Sequence, residues 1–112
     1  MNYQDQSKWR AKFMLLAHRV MSINLSGKAE MTMELRPWGA PNTAVTIHLW
    51  RGMTTSDPEI LHTWSIREWN FKNSEHFDHI VRDLGWIEKD GVDSFLWIER
   101  CRKEMGGQHV QF

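Results

Sequence analysis

Cysteine is nearly absent from this chain. Cys101 is the only one in 112 residues, so no intrachain disulfide can form, which fits a reducing, cytoplasmic setting. Long apolar runs are missing too. The longest near the start, Phe13 to Ala17, is far short of the ~20 residues that cross a bilayer, and the polar opening Met1 to Gln6 lacks a signal-peptide core. Proline and glycine do not gather with serine into a linker, and no internal repeat is present. The expectation is a single domain over residues 1–112, with 108–112 a loose tail. No glycine-rich phosphate loop, Ser-His-Asp signature or paired-cysteine motif occurs, so nothing signals catalysis or a cofactor. Net charge is zero, whereas binding a phosphate backbone normally demands a positive surface.

What is present is tryptophan. Seven of these residues are more large amphipathic rings than a small core easily buries, and exposed ones mark contact sites. Charge is segregated along the chain. Residues 1–51 hold seven Lys/Arg against three Asp/Glu, and residues 52–112 hold seven against eleven. The first half is therefore basic and the second acidic, a layout that suits charged partners at either end.

The periodicities predict the order α-β-β-β-α-α. Residues 5–23 carry Trp9, Phe13, Leu16, Val20 and Ile23 at helical spacing, with Asp5 or Ser7 as N-cap. Lys8, Arg10, Lys12 and Arg19 make the rest of that helix basic, and Asn24, Ser26 and Gly27 end it. Residues 30–37, 43–51 and 59–69 alternate and predict three strands of an antiparallel meander. Turns at 37–42 and 52–58 separate them. A second helix starts near Asn73 or Ser74, buries Phe77, Ile80, Val81 and Leu84, and stops at Gly85. A third runs from Val92 to Met105, capped by Asp90 or Asp93, with Phe95, Ile98, Cys101 and Met105 on one face and Gly106-Gly107 at its end. The fold class is α+β: a three-stranded sheet with helices packed on one face.

The covered face is expected to carry Met31, Met33, Leu35, Val45, Ile47, Leu49, Ile60, Trp64 and Ile66. Trp9 joins it from the first helix. The two-residue period then sets the other face: Thr32, Glu34, Arg36, Thr46, His48, Trp50, Thr63, Ser65, Arg67 and Trp69. Tryptophan and arginine are the types most enriched at binding hot spots. Arg36, His48, Trp50, Arg67 and Trp69 are therefore the candidate partner-binding residues. Trp50 and Trp69 would fill pockets on a protein partner, or on a second copy in a homodimer, while Arg36 and Arg67 pair with its carboxylates. Two alternatives stand beside this. The same face would suit stacking of single-stranded nucleic acid, helped by the basic first helix. Or the rings are covered by a tail or loop and belong to the core.

The α-β-β-β-α order over residues 5–85 resembles that of double-stranded-RNA-binding domains. That family implies a lysine cluster at the start of its last helix, and here the stretch reads Phe71-Lys72-Asn73-Ser74-Glu75-His76, so the resemblance is one of element order. Compact α/β proteins of this size are also common among the accessory proteins of phages and other mobile elements that bind host proteins. For a metal, His76 and His79 are the candidate ligands, on one helix side, with Asp83 placed to orient the His79 ring and Cys101 or His62 as an extra ligand. Surface histidines on an amphipathic helix are the plainer reading. Cys101 itself reads as a buried, inert thiol, and membrane binding by the basic helix is not expected.

Overall fold

Three helices and three strands follow one another as α1 (Tyr3–Ser26), β1 (Glu30–Leu35), β2 (Val45–Arg51), β3 (Glu59–Ile66), α2 (Ser74–Asp90) and α3 (Val92–Glu104). The computed structural model describes residues 3–36, 45–67 and 74–105. The turn expected at 37–42, the strand ends at 37, 43–44 and 68–69, Trp38, Trp69, Asn73, the Gly106-Gly107 stop and the 108–112 tail lie outside them.

The strands form one open antiparallel sheet in the order β1-β2-β3. All three helices lie on the same side of it. Leu16, Val20 and Ile23 of α1, Phe77, Ile80, Leu84 and Ile87 of α2, and Phe95 of α3 share one core with Met31, Val45, Ile47, Leu49, Trp64 and Ile66 of the sheet. These sheet residues occupy alternate positions, as a half-buried strand requires. Trp9 and Trp64 are both core residues. Trp86 is half-buried on α2 and Trp97 exposed on α3.

Four expectations are corrected. First, β3 is not regular. His62 pairs with Leu49 but Ile60 pairs with Trp50, so Leu61 is an extra residue. Such a bulge reverses the facing of everything beyond it. Ile60 crosses to the uncovered side, where it is 47% exposed, and Leu61 packs on the core instead. With two bulky apolar residues in succession, the bulge buries the second and gives the first Trp50 as its cross-strand neighbour. Second, Leu35 has the expected facing but is 62% exposed, because it ends an edge strand beyond the cover of α1. Third, α2 does not stop at Gly85. A helical glycine costs only about 1 kcal/mol relative to alanine, and continuing places Ile87 in the core. The stop comes at Gly91, φ +91°. Fourth, the caps differ. α1 begins at Tyr3, upstream of Asp5 and Ser7. The α3 cap is Gly91, with no side-chain hydrogen bond, so neither Asp90 nor Asp93 serves.

Candidate sheet-face site

Among the described residues no helix packs on the second sheet face. Its side chains stand in cross-strand rows set by the register: Glu30, Trp50 and Ile60; Thr32, His48 and Thr63; Glu34, Thr46 and Ser65. The polar atoms within these rows largely satisfy one another. Trp50 donates its indole N–H to Thr32 Oγ1 at 2.8 Å. His48 Nδ1 lies 2.9 Å from Thr63 Oγ1. The His48 and Trp50 rings meet edge to face, centroids 5.9 Å apart. Each ring is half-exposed and held in place by side chains on the neighbouring strands.

Of the five residues proposed from sequence, the register thus brings His48 and Trp50 together. Arg36 sits just past β1, exposed, and its Nε donates to Glu34 Oε1 at 3.1 Å. Its charge is therefore already met within the chain. Arg67 lies just past β3 at the surface, and Trp69 falls outside the described residues. Ile60 joins the site unforeseen, because only the bulge brings it there. Acidic side chains stand on or beside the same face. Glu30 and Glu34 belong to its rows. Glu30 Oε2 accepts from the Met53 N–H at 3.2 Å, which ties the β2–β3 loop to that end of β1. Within that loop, Gly52 at φ +65° accepts from the Thr55 N–H, and an added Cβ would meet Thr55 Oγ1 at 2.9 Å.

The histidines proposed as metal ligands are engaged elsewhere. His76 Nε2 is 2.7 Å from the Ser65 carbonyl oxygen; a carbonyl can only accept, so this nitrogen carries the proton. His79 Nδ1 accepts from Arg82 Nη2 at 2.7 Å, since a guanidinium only donates. Its Nε2 then faces Asp83 Oδ2 at 3.5 Å. Among the described residues no group of three or more His, Cys, Asp or Glu is placed to hold a metal ion. His62 faces the core side, opposite to His48, and Cys101 is half-buried.

A polar cluster not recognised from sequence lies where α2, α3 and β3 meet. Asp83, 4% exposed, is the buried charge among the described residues. Trp64 donates its indole N–H to Asp83 Oδ2 at 3.1 Å. Arg102 and Arg82 stand 3.8 and 3.9 Å from Oδ1, and Arg102 also binds Glu99 Oε1 at 2.6 Å. His62 borders this cluster, its ring against Trp64 at 4.5 Å and Phe95 at 5.2 Å. Burial lowers the His62 pKa from 6.5, with Glu99 and Asp83 pulling the other way. The readable signal was an acid inside the apolar stripe of α2, between Ile80 and Leu84. Among the described residues every buried side-chain polar atom has a partner. It reads as structural.

No protein-family model, curated protein or solved structure matches the chain. The fold and site define an α+β protein with a one-sided sheet. No helix among the described residues is long and apolar enough to cross a membrane.

Proposed function

We propose that this chain is a non-enzymatic interaction module that docks on a protein partner through the uncovered sheet face, with Trp50 and Ile60 at the centre of the contact. The observation that carries the reading is the Trp50–Thr32 hydrogen bond on a face over which no helix of the described residues packs. A tryptophan usually needs an acceptor wherever it is covered. Here the acceptor is already supplied within the face, so a partner need only bring apolar surface. The rings are also fixed before binding, which reduces the entropy lost on association. Glu30, Thr63 and Ser65 on the same face would contribute to the polar rim that surrounds such centres.

Glu30 lies on the same face and Glu34 already neutralises Arg36, which disfavours a phosphate backbone. That separates this reading from nucleic-acid binding. The test compares wild-type protein with a Trp50→Ala, Ile60→Asp double variant. Each is used as bait in its native cell extract and titrated with single-stranded oligonucleotides at two salt concentrations. The expected result is a discrete protein captured by the wild type and lost with the variant, a similar melting temperature for both, and no salt-dependent tryptophan quenching by oligonucleotide. Capture that survives the substitutions, or unfolding of the variant, overturns the proposal. Quenching with a steep salt dependence would transfer it to nucleic acid.

A further inference from the structure

Helix α1 is apolar over more of its circumference than its packing uses. Trp9, Leu16, Val20 and Ile23 face the core. Met14, Met21 and Leu25 form a second stripe at helical spacing beside the first. They stay at the surface, Met21 60% and Leu25 81% exposed. Beside them runs the outer edge of β1. Between helix and strand lies a groove of about 380 Å³, lined by Ala17, Met21, Leu25, Met31, Met33 and Leu35 among others. Three of its eight lining residues are methionines, whose unbranched, polarisable side chains adapt to varied apolar surfaces.

Two observations define the occupant. The first concerns the backbone. The Asn24 side chain donates to the Met31 carbonyl oxygen and accepts from the Met31 N–H, both at 2.8 Å. It occupies the β1 edge at Met31, so a strand added along this edge could not pair at that residue. That fits a helix lying in a groove and not an added strand. The second is charge. Along α1 and the turn after it, Lys8, Arg10, Lys12, Arg19 and Lys28 face only one acid in sequence, Asp5. Arg19 is engaged by Glu88 at 3.4 Å, and Lys12 lies 5.0 Å from the Trp9 and Phe77 rings. Arg10, one turn before Met14, and Lys28, just past Leu25, have no carboxylate partner among the described residues and stand at the two ends of the stripe. A second copy of α1 would bring like charges together. From Met14 to Leu25 the stripe extends about 16 Å at 1.5 Å per residue, some three turns.

We propose that the groove between α1 and β1 binds an amphipathic helix of a partner protein that carries acidic residues beside its apolar stripe. This surface is on the helix side of the sheet, remote from Trp50. The test uses a labelled peptide of roughly 18 residues, long enough to sustain helix, with leucine at i, i+3, i+4 and i+7 and glutamate on the flanks, and a counterpart with lysine on the flanks. Fluorescence anisotropy should show the acidic peptide binding at least about tenfold more tightly than the basic one. Met21→Glu with Leu25→Glu should weaken it about tenfold or more while the melting temperature holds, because both positions are exposed. Arg10→Glu with Lys28→Glu should reverse the preference, and the Trp50→Ala, Ile60→Asp variant should bind like the wild type. Overturning results are no binding of either peptide, equal binding of both, or loss of binding in the sheet-face variant. The same holds for tighter association with phosphatidylserine vesicles than with peptide, or for self-association that the Met21 and Leu25 substitutions abolish.

Discussion

Asp83 is the residue on which three elements converge. Its carboxylate accepts from a buried indole and faces two guanidinium groups and an imidazole. A buried charge is tolerated only when paired and hydrogen-bonded, and removing it strands its partners. Asp83→Ala should therefore cost about 3–5 kcal/mol, the usual range for breaking a buried pair. Asp83→Asn retains an oxygen for the Trp64 N–H and should cost clearly less. Trp64→Phe removes the donor but keeps most of the ring. In urea denaturation, its effect combined with Asp83→Ala should fall short of the sum of the two single effects by about 1 kcal/mol, the worth of the shared hydrogen bond. Strict additivity would mean that this bond contributes nothing.

Among the elements, β3 and α2 show where periodicity stops being informative. The element order and the core positions of α1 and β2 were legible because each has one phase and one buried face; Val45, Ile47 and Leu49 are all buried. β3 offers two apolar residues in succession, Ile60 and Leu61, and the alternation of the strand cannot say that an extra residue is inserted between pairs. The site inherits that ambiguity, so Trp50 was foreseen and its neighbour Ile60 was not. The bulge makes a direct prediction. Ile60→Thr should change stability by less than about 0.5 kcal/mol, as surface positions do, and Leu61→Ala should cost more, since Leu61 packs on the core; a straight strand would give the opposite order in denaturant midpoints. Gly85 was read as a stop because glycine favours helix ends, yet burial of Ile87 outweighs that preference. Its Cβ position meets only Arg19 Nη1, at 3.9 Å. Gly85→Ala should thus stabilise by about 0.5–1 kcal/mol, visible as a melting temperature raised by a few degrees. A fall would show that the space is needed.

At the scale of the whole molecule, the sheet separates the core from the face proposed for docking. The helices bury one face around a core that includes Trp9, Trp64 and the Asp83 cluster, while the other face keeps its rings half-exposed. Folding of the whole chain is linked to proton binding through that buried side, at His62. Burial between Trp64 and Phe95 lowers its pKa below 6.5, and this outweighs the opposing pull of Glu99 and Asp83. The unfolded chain therefore takes up a proton on His62 at a higher pH than the folded chain does. Stability rises with pH wherever the unfolded state holds more protons. The His62 contribution should accordingly be constant above about pH 7, and should fall as pH drops through 6.5 toward the lowered folded value. The measurement is a difference, so that contributions common to both proteins cancel. Denaturant midpoints of wild type and His62→Gln are compared between pH 8 and pH 5. The wild type should lose stability relative to the variant only below about pH 6.5. Parallel curves across the whole range would mean that His62 titrates alike in both states and that its burial does not govern the acid side of the stability profile.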